Sequence, residues 1–280
     1  MILRNCLIPT DNYKRATSIL IKKGRVKEIG KISKSLKFNQ HFDLNLKKIV
    51  QSPVCFFDIP KRPSKSYIQK TSQRIREAGF ACVIYGIEIE NQEHLNSILP
   101  SLRASVLDFG IRSLSSHFDQ KELLLSPQEN PKLSSSTTAH DLLPYFEFEN
   151  RWFLFEDPPP DLLIATSGRR NISNLIDLKT VIDNLSLLPA SPFGMIKLRS
   201  IDDVNLLQQI LLKVNNRQLA RLSSLFTKNF ARFFNKTRFL FGEEANFLIL
   251  DEENRIRNII VKGEFGNSNL TGNLIGRGKR

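Results

Sequence analysis

The chain is poor in the residues that build the commonest metal and redox centres. Its 280 residues include three cysteines, four histidines, two methionines and one tryptophan. Cys6, Cys55 and Cys82 are odd in number and widely spaced, which excludes a closed disulfide framework and any Cys-x-x-Cys motif and suits buried thiols in a reducing compartment. His41, His94, His117 and His140 stand alone, with no His-x-His and no His-Glu-x-x-His, so a metal centre has few ligands to draw on. Neither a Gly-x-Ser-x-Gly elbow nor a Walker loop is present, so His140-Asp141 beside the Ser134 to Thr138 run is not read as half of a nucleophile system. The longest apolar runs, Phe80 to Tyr85 and Phe247 to Leu250, fall far short of the roughly 20 residues of a helical membrane span. Met1-Ile2-Leu3-Arg4-Asn5 opens neither a basic stretch nor a long apolar core, so no secretory leader and no membrane association are expected, and the expected location is cytoplasmic.

What is there is a globular composition with a basic bias. The 41% of hydrophobic and 25% of charged residues can bury one substantial core or two modest ones. Lys+Arg 41 against Asp+Glu 28 leaves a net +13, enough to attract anionic partners at long range. The excess is N-terminal: residues 1 to 50 carry twelve Lys/Arg and three Asp/Glu, while residues 241 to 280 carry six of each. Stacking aromatics are few in the basic stretch and no zinc-finger or RNP spacing occurs, so this charge is read as solvated surface and nucleic acid is not the expected partner. The stripe Leu222, Phe226, Phe230, Phe233 and Phe234 has helical spacing and is read as packing rather than base stacking.

The order of elements is more informative. Residues 2 to 8 read as a strand, and Ser18 to Lys22 and Arg25 to Ile29 flank a Lys23-Gly24 hairpin turn. Asn246 to Leu250 and Ile256 to Val261 repeat that texture, so the two chain ends are expected to share a sheet. Between them helices and strands alternate. Ile68, Thr71, Ser72, Ile75 and Ala78 mark a helix stopped by Gly79, and Phe80 to Tyr85 a strand buried on both faces. A helix over Leu95 to Leu102 is expected to be interrupted at Pro100, and Ser105 to Phe109 reads as a strand. Residues 126 to 142 and Pro158 to Pro160 read as loop or linker. Leu162 to Ala165 reads as a strand, Leu175 to Leu185 as a helix, and 202 to 214 and 218 to 234 as two more, the first capped by Asp202.

Several segments in shared order resemble the amidohydrolase superfamily. Ile2-Leu3-Arg4-Asn5, followed by Ile19 to Gly30, resembles the strands that open the small β-sandwich of those enzymes. Asp58-Ile59, after Pro53-Val54-Cys55-Phe56-Phe57, is similar to their entry into the first barrel strand. The dihydroorotase branch fits best, on Ile164-Ala165-Thr166-Ser167-Gly168, Ser191-Pro192-Phe193-Gly194, Asn229-Phe230-Ala231, Ala245 to Asp251 and the final Gly276-Arg277. The resemblance implies an α/β fold: a TIM-type (β/α) barrel over residues 51 to 240, with a small β-sandwich built from 1 to 50 and 241 to 280. Those 190 middle residues are fewer than the roughly 200 to 250 an eight-fold barrel uses, so a reduced or incomplete barrel is expected.

The resemblance also says what is missing. The family's first strand ends in His-x-His, whereas Asp58-Ile59 here runs into Pro60-Lys61-Arg62. The family's catalytic aspartate falls at Ser167 and the following histidine at Gly168. A metal-activated hydroxide requires both cation and base. The expectation is therefore a dihydroorotase-like protein without catalysis, metal or other cofactor, structural or regulatory in pyrimidine synthesis. Asp58, Arg62, Ser167 and Arg169 are the candidate residues of a vestigial pocket, the two arginines being able to grip a carboxylate. Its implied partner is aspartate carbamoyltransferase or a second copy of the chain. The alternatives are an active zinc-dependent cyclic amidohydrolase with displaced ligands, and an anion- or nucleic-acid-binding protein.

Overall fold

The computed structural model describes residues 1–9, 16–32, 40–114, 124–125, 153–158, 172–185, 195–220, 222 and 244–265. Along them run β1 (Ile2–Cys6), β2 (Thr17–Lys22), β3 (Arg25–Gly30), β4 (His41–Asp43), β5 (Lys48–Gln51), β6 (Val54–Asp58), α1 (Lys65–Glu77), β7 (Cys82–Ile87), α2 (Gln92–Leu102), β8 (Asp108–Ser113), β9 (Leu124–Leu125), β10 (Phe153–Glu156), β11 (Ile172–Asp177), α3 (Leu178–Asp183), β12 (Met195–Leu198), α4 (Leu206–Lys213), β13 (Phe247–Leu250), β14 (Ile256–Val261) and β15 (Glu264–Phe265). The linker at 126 to 142, the strand at 162 to 165, Ser167, Arg169 and most of the helix at 218 to 234 lie outside the described residues.

Two four-stranded sheets hold the chain ends, in the orders β3-β2-β1-β4 and β15-β14-β13-β5. The β2–β3 turn takes Lys23 at φ 52° and Gly24 at φ 71°, the left-handed pair that a two-residue hairpin requires. A Cβ on Gly24 would stand 2.7 Å from the Lys262 carbonyl oxygen, so glycine also admits the β14–β15 turn against the hairpin tip. The ends were expected in one sheet, and the pairing differs. Both edges of β1 are taken, by β2 and β4, so β13 pairs instead with β5. Residues of both sheets then form one apolar cluster that includes Leu3, Ile19, Ile21, Ile49, Phe247 and Ile260. Strand β13 is buried on both faces: Phe247 and Ile249 enter that cluster, while Leu248 and Leu250 enter the larger one on the other side, the alternation of a strand.

The larger cluster belongs to a parallel sheet of order β10-β11-β12-β6-β7-β8-β9. Strand β12 lies beside β6, so the last of the described parallel strands neighbours the first, the cyclic order of a barrel. One face of the sheet, with Cys55, Phe57, Val83, Tyr85, Phe109, Ile111, Ile176, Ile196 and Leu198, packs against Ile68 and Ile75 of α1, Leu95 and Ile98 of α2, and Leu207 and Ile210 of α4. Ser64 starts α1 by accepting the Tyr67 N–H at 3.1 Å, and Gly79 at φ 107° ends the turn.

Four local expectations are corrected. Strand β8 begins at Asp108, because Ser105 Oγ accepts the Leu107 N–H at 3.3 Å and receives the Tyr85 hydroxyl at 3.2 Å, which makes Ser105 to Leu107 a turn. Pro100 does not interrupt α2, which continues to Leu102 and ends with Arg103 N–H donating to Leu99 at 3.0 Å. Leu175 and Ile176 lie in β11 rather than in a helix, since Asp177 accepts the Thr180 N–H at 2.7 Å and starts α3 only at Leu178. Asp202 is not the cap of the next helix: Ser200 and Asp203 form a reciprocal capping box on the 3₁₀ turn Ile201–Asn205, and α4 follows. All three cysteines are buried and none forms a disulfide, and no helix among the described residues is long and apolar enough to cross a membrane.

Candidate functional site

The face of the parallel sheet turned away from the helices is apolar low down, with Phe56, Ile84, Leu175 and Met195 buried. Towards the C-terminal strand ends it becomes charged. Register places Asp58, Gly86 and Arg112 in one row across β6, β7 and β8, and pairs Asp177 of β11 with Lys197 of β12. Glu156 closes β10, and Asp157 and Arg199 follow β10 and β12 directly. In parallel barrels this end of the strands carries the chemistry.

These side chains neutralise one another. The Lys197 ammonium donates to Glu156 Oε1 and stands 3.3 Å from Asp58 Oδ2. Arg112, 4% exposed, donates through Nη2 to Glu156 Oε2. Glu156 thus receives a cation on each oxygen. Beside this trio, Arg199 reaches Asp177 Oδ2 from Nε at 3.0 Å and from Nη2 at 2.9 Å, and Asp157 Oδ2 at 3.2 Å. Asp157 adopts φ 48°, and its Oδ1 is buried with no hydrogen-bond partner among the described residues. Gly86 makes room for the cluster: a Cβ there would lie 2.0 Å from Asp58 Oδ1.

The charges answer to this arrangement. Burial alone would raise the Glu156 carboxyl, but Arg112 and Lys197 overcome it and hold the group below its ordinary value. Burial opposes the charged form of Lys197, yet Glu156 and Asp58 outweigh it and raise the ammonium's value, so the amine stays protonated and is not a nucleophile. Burial raises Asp157 in spite of Arg199 and Lys197. Asp177 is held low against burial by the Thr180 N–H and Arg199.

Of the four pocket residues read from the sequence, Asp58 is in this cluster. Arg62 is exposed on the bend after β6, and Ser167 and Arg169 lie outside the described residues. The sequence reading missed Arg112, Glu156, Asp177, Lys197 and Arg199. A usable signal was present: Phe153 to Asp157, Leu175 to Asp177 and Met195 to Arg199 are each an apolar run that ends in charge. The strand set beside β6 is β12, which brings Lys197 next to Asp58.

The fold itself has relatives of known structure. No protein-family model matches the chain, and no curated protein matches it. Among solved structures, it is similar to a D-hydantoinase (dihydropyrimidinase) from Thermus sp., with a TM-score of 0.65 and 12% identity over 99% of this chain and 98% of that one. It is similar to a dihydropyrimidinase from Brevibacillus agri NCHU1002, with a TM-score of 0.61 and 10% identity over 94% of each chain. A β-aspartyl dipeptidase from Fervidobacterium islandicum AW-1 aligns with a TM-score of 0.58 and 14% identity over 100% of this chain and 98% of that one. At these identities the likeness is one of fold, that of the TIM-barrel amidohydrolases.

Proteins of that fold are typically metal-dependent, and the donor set among the described residues does not fit a metal. Zinc sites draw on imidazole, thiolate and carboxylate ligands around an open position. No group of three or more His, Cys, Asp or Glu side chains is arranged to hold an ion among the described residues. The carboxylates of Asp58 and Glu156 already share an ammonium. His94 is engaged elsewhere: its Nδ1 accepts the Glu90 N–H at 3.3 Å and its Nε2 lies 3.0 Å from the Lys61 carbonyl oxygen, tying together the loops after β6 and β7.

Proposed function

We propose that this chain is a non-catalytic, dihydroorotase-like relative of the metal-dependent cyclic-amide hydrolases, with a structural or regulatory role beside an enzyme of pyrimidine synthesis. The observation that carries this reading is Lys197, whose ammonium lies between Asp58 and Glu156 at the strand ends. A divalent cation held by those carboxylates would meet a fixed positive charge. The fold shared with hydantoinase and dihydropyrimidinase structures supports the broader class. The order of sequence segments supports the dihydroorotase branch, and with it aspartate carbamoyltransferase, or a second copy of the chain, as the partner.

Two measurements test the proposal. Dihydroorotate and hydantoin are offered to the full chain with zinc or manganese, and no turnover above buffer is expected. Metal-dependent turnover abolished by a chelator would replace this reading with an active amidohydrolase. Native mass spectrometry with aspartate carbamoyltransferase from the same source is expected to give a defined complex. A clean monomer that leaves the transferase's thermal stability unchanged would remove the partner.

A further inference from the structure

We propose that the peptide bond between Asp157 and Pro158 is a self-cleavage site, at which the Asp157 carboxyl attacks its own backbone carbonyl and splits the chain between β10 and β11.

The chain contains a single Asp-Pro pair, and it lies where β10 leaves the mouth. A residue before proline is driven to extended backbone with negative φ, and positive φ is uncommon outside glycine, yet Asp157 stands at φ 48°. The surroundings hold it there. Its N–H donates to the Leu175 carbonyl at 2.8 Å, and its Oδ2 is gripped by Arg199 at 3.2 Å. Its Oδ1 is buried with no hydrogen-bond partner among the described residues, so one carboxyl oxygen is uncommitted on the very residue whose carbonyl it would attack. The groups that face this carboxyl are Arg199 and Lys197 from the end of β12, Asp177 from β11 and Glu156 from β10. Burial, helped by the two carboxylates, outweighs the two cations and favours the neutral acid in mildly acidic solution.

The step balances with water as the only co-reactant. Oδ1 bonds to the Asp157 carbonyl carbon and closes a cyclic anhydride, and the bond from that carbon to the Pro158 nitrogen breaks. The carboxyl proton passes to the nitrogen, which leaves as a secondary amine. Water then opens the anhydride to two carboxyls, and the Asp157 side chain, 31% exposed, gives it access. The products are residues 1–157 and 158–280. Across the break β10 still pairs with β11, β12 with β6 and β13 with β5, so the two pieces are expected to stay together as a nicked fold.

The test incubates the full wild-type chain in a mildly acidic buffer in which circular dichroism shows the fold intact, and in urea at the same pH, and reads intact mass under denaturing conditions. The urea sample is needed because an Asp-Pro bond in an unfolded chain is itself slowly cut by acid. The folded chain is expected to give 1–157 and 158–280, with masses that sum to the intact chain plus one water, about tenfold or more faster than the unfolded chain, because the fold supplies the orientation. Native mass spectrometry is expected to show the pieces associated, and free pieces would overturn the nicked fold. Asp157→Glu, which keeps the charge and lengthens the side chain, and Pro158→Ala are each expected to bring the rate down to that of the unfolded chain or below. Should either variant fail to fold, the ratio of folded to unfolded rates in the wild type decides alone. A folded wild-type chain cut no faster than in urea overturns the inference, as does cutting that persists at the wild-type rate in both folded variants.

Discussion

The two-sheet unit at the chain ends and the strand-end mouth of the parallel sheet are held together by opposite means. In the unit, Leu3, Ile19, Ile49, Phe247 and Ile260 meet in one apolar cluster, and their stability is that of apolar area removed from water. In the mouth, Asp58, Arg112, Glu156, Asp177, Lys197 and Arg199 are drawn from five strands or the residues just beyond them. Their pairing mainly offsets the cost of taking charges out of water. The first arrangement tolerates any well-packed apolar residue of similar volume. The second depends on its partners according to their burial, so Arg112, 4% exposed, matters more than Arg199, 60% exposed. A region kept in that condition at the end of a barrel that usually carries chemistry is one whose charges have been committed to each other.

The contrast can be broken from either side. The largest loss is expected in the unit: Phe247→Ala should cost about 4 kcal/mol in urea denaturation, the penalty for a large core cavity. A loss below about 1 kcal/mol would mean that this core is not closely packed. In the mouth, Arg112→Met should cost about 2–3 kcal/mol, less than full removal of a buried pair because Lys197 still serves Glu156. Arg112→Met with Glu156→Gln should cost less than Arg112→Met alone, and simple additivity of the two would contradict a shared network. Gly86→Ala should cost about 1–2 kcal/mol by displacing the Asp58 carboxylate, with no loss when Asp58→Ala is already present. Smallest should be Arg199→Ala, within about 1 kcal/mol, since its side chain is 60% exposed.

The mouth should also respond to pH. Glu156 sits below its ordinary value of 4.5 in the folded chain, so its contribution is in place above 4.5 and is lost as pH falls through the depressed value. Asp157, raised from 3.8, has the opposite sign and should make the acid limb shallower. Lys197, raised above 10.5, contributes fully below that value and loses its contribution as pH rises through the higher one. Urea midpoints measured across pH for the wild type and Glu156→Gln should converge on the acid side. Parallel curves would show that Glu156 does not couple to protons as its surroundings require.

Legibility in the sequence follows the same division. The Lys23-Gly24 hairpin, α1 with its Gly79 stop and the buried β7 were readable because period, capping and turn chemistry are local. The partner of β13 was not, since β5 is chosen by which sheet edge β4 leaves open. Leu175 and Ile176 read as helical because a short apolar run fits either period until Asp177 caps the next helix. Of the mouth, only Asp58 was visible. Lys197 and Glu156 lie on β12 and β10, with β11 between them, and a charge ending one apolar run says nothing about which other run it will face.

Commitment of the strand-end carboxylates to Lys197 and Arg112 is expected to leave them unavailable to a metal. Its most direct test is the metal content of the full wild-type chain after incubation with zinc and manganese and removal of free ion, by inductively coupled plasma mass spectrometry. A content well below one ion per chain is expected. Stoichiometric metal that is lost in Asp58→Asn or Glu156→Gln would contradict it.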